Sequence, residues 1–314
     1  LNSGASVITV PITSANDAPV VSISTDTATY LENSSALKVV PSVVLTDVDS
    51  TLMSGASVRI SSGLTTGDVL SFNAIAGNPV SASYNATTGV LTLTGQATIA
   101  QYQAAVQAVT FQNARDDLAS GTRTLEVQFT DVNQSTLGTA LASNTVQKSI
   151  NIQSVNDAAL ATGLSTSALV FNESTSTNKL TAKLNLAPSI TLTDPDTPGD
   201  PANVLGIKSA LVRFASGFTA GEDILSIGST TGTSITSSFD AVTGTLTLSG
   251  NDSLANYQAV LRTLGYQNQS ANPSAVSKVI QITLTDTAGA VSAAATQTFA
   301  INAYNDLAAI DLNG

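Results

Sequence analysis

The sequence predicts an all-β protein made of two tandem β-sandwiches, each carrying one short helix. Three observations carry that reading. Most of the chain alternates apolar and polar residues with a period of two, the pattern of strands with one buried and one wet face. The whole pattern is written twice, so one domain is repeated. A single stretch in each copy leaves the period of two and follows helical spacing.

The repetition is explicit in the letters. Ser83-Tyr84-Asn85-Ala86-Thr87-Thr88-Gly89-Val90-Leu91-Thr92-Leu93-Thr94-Gly95 returns as Ser238-Phe239-Asp240-Ala241-Val242-Thr243-Gly244-Thr245-Leu246-Thr247-Leu248-Ser249-Gly250, 155 residues later. In the same order, Leu45-Thr46-Asp47-Val48-Asp49 returns as Leu192-Thr193-Asp194-Pro195-Asp196, and Phe129-Thr130-Asp131 as Leu284-Thr285-Asp286. The pair Asn-Asp marks the boundaries, at Asn16-Asp17, Asn156-Asp157 and Asn305-Asp306. A unit this long is a domain, well beyond the roughly 20–50 residues of a solenoid repeat. The 314 residues suffice for two separate cores.

The expected domains are residues 16–155 and 156–305. Aligned on Asn-Asp, Ser6 to Ile12 falls over Val146 to Ile152, so residues 1–15 read as the last strand of a preceding repeat or as a tail. Residues 306–314 read as the start of a further repeat or a linker.

Within the first copy, strands are expected near 20–25, 36–46, 55–61, 68–75, 79–84, 89–94, 109–113, 122–130 and 144–154, and likewise in the second. Leu125, Val127 and Phe129 alternate with Thr124, Glu126 and Gln128, and Ile280, Ile282 and Leu284 with Gln281 and Thr283. The abundance of Thr and Val suits half-buried pleated surfaces. A turn at Gly89, matched by Gly244, calls for positive φ. A helix is expected around residues 98–108, where Ile99, Tyr102 and Val106, with Val109 just beyond, share one helical face behind Thr98 as N-cap. The counterpart runs from Ser253 to about residue 263 through Leu254, Tyr257, Leu261 and Leu264. This phase makes Tyr102 and Tyr257 core residues rather than sugar-stacking aromatics.

Composition removes several functions. The chain has no Cys, His or Trp, hence no disulfide, no thiol chemistry and no Ser-His-Asp or Cys-His arrangement. Charged residues are 11% and the net charge is −11, with Lys and Arg scattered, which disfavours nucleic acid and anionic membranes as partners. No apolar run approaches the roughly 20 residues of a membrane span, so no membrane insertion is expected. Carboxylate pairs could in principle hydrolyse glycosides. An identical constellation in both copies, with only 4% aromatics to build a cleft, argues against an enzyme. The bonds Asp194-Pro195 and Asp200-Pro201 occur in the second copy only and serve as plain turns as readily as cleavage points.

The acids recur at matched places. Asp17, Asp157 and Asp306 lie at the boundaries, Glu32 and Glu173 follow them, Asp47 and Asp49 match Asp194 and Asp196, Asp68 matches Glu222-Asp223, and Asp131 matches Asp286. A solubilising surface has no reason to repeat its positions. Calcium does, because a hard cation takes six to eight oxygens at short range. Side chains at i and i+2 of a strand end point the same way. The expected site at the inner boundary is therefore Asn156, Asp157, Glu173, Asp194 and Asp196, with Asn16, Asp17, Glu32, Asp47 and Asp49 as its counterpart. Asp131 and Asp286 are the outlying members of the set. Turn capping is the competing explanation for any single acid.

The boundary Val155-Asn156-Asp157-Ala158 and Ala15-Asn16-Asp17-Ala18-Pro19, the early acids in Leu31-Glu32-Asn33 and Asn172-Glu173-Ser174, and Leu-Thr-Asp-x-Asp resemble the cadherin calcium signature. With Gly67 to Phe72 and the Tyr84 to Gly95 stretch, nearly the whole chain is similar to the cadherin-like tandem repeats of large bacterial surface adhesins, of the type I secreted, RTX-adhesin-like kind. The resemblance implies Greek-key, cadherin/immunoglobulin-like sandwiches and calcium (Ca2+) between repeats. It further implies secretion to the bacterial cell surface and a part in cell adhesion or biofilm cohesion. The boundary lacks the first Asp and final Asn of the animal linker motif, which implies fewer ions per joint. Expected partners are neighbouring repeats of the same chain and another cell-surface protein or polysaccharide. An S-layer or structural lattice domain and a carbohydrate-binding module are the alternatives.

Overall fold

The computed structural model describes residues 8–135, 137–196 and 206–304. The chain divides into two compact units, Leu1–Val155 and Asn156–Gly314. The expected segments 306–314 and Asn305-Asp306 lie outside the described residues, as does Asp200-Pro201.

The first unit contains β1 (Val20–Ile23), β2 (Ala28–Leu31), β3 (Leu37–Lys38), β4 (Val43–Thr46), β5 (Leu52–Ser62), β6 (Val69–Phe72), β7 (Ser81–Asn85) and β8 (Val90–Thr98). The helix α1 (Ile99–Gln107) follows, then β9 (Val109–Gln112), β10 (Gly121–Asp131) and β11 (Val146–Gln153). A six-stranded sheet in the order β2-β11-β10-β5-β8-β7 faces a three-stranded sheet, β3-β9-β6, and the pair β1-β4. Every named pairing in this unit is antiparallel except β2 with β11. One apolar core fills the space between the layers, with Val58, Leu93, Phe111, Val127, Phe129 and Ile150 all fully buried.

The second unit repeats the plan. It runs β12 (Leu160–Thr162), β13 (Leu169–Asn172), β14 (Leu184–Asn185), β15 (Thr191–Thr193), β16 (Ile207–Ser216), β17 (Asp223–Ser226), β18 (Thr236–Asp240) and β19 (Thr245–Asp252). Then come α2 (Leu254–Leu261), β20 (Gly265–Asn268), β21 (Lys278–Asp286) and β22 (Ala295–Asn302). Its sheets are β13-β22-β21-β16-β19-β18, β14-β20-β17 and β12-β15. Each unit is therefore a cadherin/immunoglobulin-like β-sandwich with one short helix.

Local chemistry explains the elements. Along β10 the buried positions alternate from Arg123 to Asp131, as the period of two requires. Thr98 caps α1 and forms a capping box with Gln101, while Ser253 caps α2 through the amide of Asn256. Tyr102 and Tyr257 are fully buried and donate to the carbonyls of Gly95 and Gly250, each at 2.7 Å. Both tyrosines are core residues, and burial of each apolar ring stabilises by about 1.5–3 kcal/mol. Gly89 and Gly244 turn the chain with φ of 67° and 69°.

Two expectations need correction. The strand expected over 36–46 is two strands in different sheets. Pro41, which has no N–H to give a ladder, lies between them, and Val39 and Val40 are buried in the crossing. Strand β2 escaped notice because only Tyr30 of its four residues is buried. In the segment read as the last strand of a preceding repeat or as a tail, residues 8–12 form no strand with this unit, and Ile8, Val10 and Ile12 are exposed.

Candidate metal centre

In each unit the repeated acids gather where the chain enters the sandwich. In the first, Asn16 Nδ2 donates to Asp131 Oδ2 at 2.7 Å and to the Thr139 carbonyl at 3.1 Å. Asp131 Oδ1 accepts from the amide of Leu141 at 2.7 Å. The amide of Asp17 donates to Asp49 Oδ2 at 3.1 Å, and Ser135 adds a hydroxyl to the same oxygen at 2.7 Å. Asp47 Oδ1 caps its own turn, accepting the amides of Asp49 and Ser50. The other oxygens, Asp47 Oδ2 and Asp49 Oδ1, are buried without a donor.

The second unit builds the same network. Asn156 Nδ2 donates to Asp286 Oδ2 at 2.8 Å, and Asp286 Oδ1 accepts the amides of Gly289 and Ala290. The amide of Asp157 reaches both oxygens of Asp196 at 3.2 Å, and the amide of Asp196 caps Asp194 Oδ1 at 3.2 Å. Asn156 Oδ1, Asp194 Oδ2 and Thr287 Oγ1 are buried without a partner. A carboxylate oxygen left so in the interior is costly unless a cation meets it.

The electrostatics agree at Asp47, Asp194 and Asp196, whereas the Ser135 hydroxyl holds the Asp49 carboxyl below its ordinary value. Burial raises the Asp47 carboxyl above its ordinary range, and the nearby Asp49 charge adds to this. Asp194 is raised by burial and by the charges of Asp286 and Asp157. Burial, together with the charges of Asp194 and Asp286, pushes Asp196 up to about 6. An Asp raised in the folded state favours protonation, so its ionisation weakens the fold. Without a cation, stability of the second unit should fall as pH rises from about 4 to about 6 and level off above. Asp196→Asn, measured in chelator at pH 7, is expected to raise the second unit's stability by about 1–2 kcal/mol after screening is discounted, and to lose that pH slope. Calorimetry across pH 4 to 8 checks it, with an unchanged slope counting against it.

Not all the expected ligands meet here. Glu32 is removed from its group: its amide bonds the Gln153 carbonyl at 2.9 Å, and its carboxylate accepts the amides of Leu118 and Val155, each at 2.7 Å. That is the Gly121 end of the eleven-residue β10, whereas Asp131 closes the other end. The two lie about 33 Å apart along the strand. Glu173 is displaced in the same way. It accepts the amide of Tyr304 at 2.8 Å and pairs with Lys179 at 2.9 Å, beyond the Lys278 end of β21, while Asp286 closes the opposite end. The spacing in sequence hid this because a strand intervenes between each Glu and the rest.

Asp131 and Asp286 are present but play another part, since N–H donors already hold their oxygens and they position Asn16 and Asn156. Asp68 and Asp223, whose repetition was read with the rest, are buried in ion pairs with Arg123 and Lys278, each at 2.7 Å, away from this pole. Ser50, Ser135 and Thr287 were missed, and as lone hydroxyl residues in a Ser- and Thr-rich chain they carried no signal.

Among the described residues no group of three or more acids is preassembled to hold a metal. The donor set nevertheless fits a hard cation: carboxylate and carboxamide oxygens, several without donors, and no nitrogen or sulfur. The residues that would hold calcium are Asn156, Asp157, Asp194 and Asp196 in the second unit, and Asn16, Asp17, Asp47 and Asp49 in the first.

Fold and pole together define two successive β-sandwich repeats with an acidic entry pole in each. No family model matches the chain. It is similar to Halomucin of Haloquadratum walsbyi (strain DSM 16790 / HBSQ001), with 35% identity over 127 residues, covering 36% of this chain and 1% of that protein. The chain thus spans about 1% of the length of the curated relative it matches. Among solved structures it is similar to the human Desmocollin-1 ectodomain, at 14% identity and TM-score 0.27, covering 92% of this chain and 42% of that one. Mouse Protocadherin-24 EC1-3 gives 14% identity and TM-score 0.30, covering 93% of this chain and 72% of that one. Likeness at these scores carries no functional argument, and the sandwich assignment rests on the strand pairings themselves. Among the described residues no helix is long and apolar enough to cross a membrane.

Proposed function

We propose that the chain is an adhesion or extender module of a large secreted bacterial surface protein, stiffened by calcium at the entry pole of each repeat. The observation that carries this reading is a buried oxygen without a donor at the matched position of both units, Asp47 Oδ2 and Asp194 Oδ2, joined by Asp49 Oδ1 in the first and Asn156 Oδ1 in the second. A bound cation would replace repulsion among the acids by attraction to one centre. It would also fix Asn156 and Asp157, the first residues of the second unit.

Ser120 and Glu32 hold the amides of Ser154 and Val155, and Asp196 holds that of Asp157. Neighbouring repeats of the same chain would be the immediate partners, with a surface protein or polysaccharide as the adhesive target.

Extracellular modules hold calcium with dissociation constants of about 10⁻⁴ to 10⁻³ M. At ten times that concentration, each site should add roughly 1.4 kcal/mol, or about 3–5 °C in Tm. Calorimetry in calcium and in chelator, paired with small-angle scattering, reads both effects. Asp194→Ala should abolish the calcium response of the second unit and widen the spread of interdomain distances. A wild-type Tm and maximum dimension that ignore calcium would sink the proposal.

A further inference from the structure

Lys278, Asp223 and Asn268 form a cluster that neither the acidic pole nor apolar packing accounts for. They are 1%, 2% and 1% exposed. Lys278 belongs to β21 in the six-stranded sheet, whereas Asp223 and Asn268 face each other across β17 and β20 in the three-stranded one. The cluster therefore bridges the two layers. Lys278 Nζ donates to Asp223 Oδ2 at 2.7 Å, and Asn268 Nδ2 donates to Asp223 Oδ1 at 2.9 Å. One carboxylate thus touches an amine and a carboxamide at once. The Tyr266 hydroxyl donates to Asp223 Oδ1, and the amide of Ser270 donates to Asn268 Oδ1 at 2.8 Å. The Tyr266 ring packs on Phe171 and Phe299 at 4.9 and 4.6 Å between centroids, which seals the cluster from water.

We propose that Lys278 and Asn268 join in an intramolecular amide bond, Nζ to Cγ, with Asp223 moving the protons. The Asp223 carboxylate, in contact with Nζ, is the base that takes its proton. The amine attacks Cγ of Asn268, and the Ser270 amide stabilises the charge that develops on Oδ1. Collapse breaks the Cγ–Nδ2 bond. Two protons leave Nζ, both pass through Asp223 to Nδ2, and the nitrogen departs as ammonium while Asp223 returns to carboxylate. One C–N bond forms and one breaks, so no oxidant, reductant or co-reactant is required. The product is a covalent tie between the two sheets.

The first unit holds the natural control. Arg123, Asp68 and Asn113 stand 155 residues before Lys278, Asp223 and Asn268. Arg123 Nε meets Asp68 Oδ2 at 2.7 Å and Asn113 Nδ2 meets Asp68 Oδ1 at 2.9 Å, the same contacts. A guanidinium remains charged and is no nucleophile, so that cluster stays an ion pair.

Intact-mass spectrometry of the full chain is expected to show a mass below that of the sequence by one ammonia. A tryptic digest should then yield one branched peptide joining the segments of Lys278 and Asn268. Lys278→Arg, which copies the first unit's cluster and so keeps its packing, should restore the full mass. An unshortened wild-type mass would overturn the proposal. So would a deficit that persists in Lys278→Arg, or the loss of one water with the branch mapped to Asp223.

Discussion

Replacing Asp68 with alanine is expected to lower the melting temperature of the first unit by roughly 6–20 °C while the second unit's transition stays in place. Asp68 is 2% exposed and is the acceptor for Arg123 Nε, for Asn113 Nδ2 and for the amide of Thr65. Removing it strands a guanidinium whose side chain is only 5% exposed. Breaking a buried pair in this way costs about 3–5 kcal/mol, and a unit of this size loses about 2–4 °C per kcal/mol. Charge, not volume, causes the loss. Asp68→Leu combined with Arg123→Met should therefore recover most of it, because a buried pair replaced by apolar groups is often neutral. Calorimetry of the two variants reads this directly, and equal losses in both would reject the electrostatic cause.

Asp286→Ala is expected to cost the second unit about 2–4 kcal/mol, with or without calcium. Its carboxylate is fully buried and accepts from Gly289, Ala290 and Asn156, so alanine strips the Ala290 amide of its acceptor and leaves Gly289 and Asn156 only longer bonds to the Asp286 and Asp157 carbonyls. Asp194→Ala should behave in the opposite way. It removes a charge repelled by its neighbours, leaving stability in chelator unchanged or higher and erasing the calcium response. Melting both variants in calcium and in chelator separates the two roles. If Asp286→Ala lost stability only in calcium, Asp286 would be a ligand and not a strut.

Much of this was legible before any coordinates. The helices fell where Thr98, Ser253 and the spacing of Tyr102 and Tyr257 put them, because capping and helical phase are local properties. The strands β10 and β21 were equally plain, since each has one face in the core and alternates without interruption. Strand β2 was not, because four residues with one buried ring carry too little pattern. It exists by pairing parallel to β11, more than 100 residues away. Tracking only acids also concealed the Arg123–Asp68–Asn113 and Lys278–Asp223–Asn268 clusters. Their basic and amide members repeat at the same 155-residue offset and could have been found by it.

What the sequence determined alone was the doubled plan, the period of two, the caps, and the pairing of Asp47 with Asp49 and of Asp194 with Asp196. These depend on neighbours a few residues apart, where backbone geometry leaves little choice. Only the tertiary structure decided which acids share an end of the sandwich. A strand carries its first and last residues some 30 Å apart. Glu32 and Glu173 therefore fell at the opposite end from the acids they were grouped with, and Asp68 and Asp223 sank into the core. The charges recur in sequence in three separate settings, an acidic entry pole, a turn strut and a buried pair. Burial and hydrogen-bond partners tell these apart, and both are settled by strands that meet from distant parts of the chain.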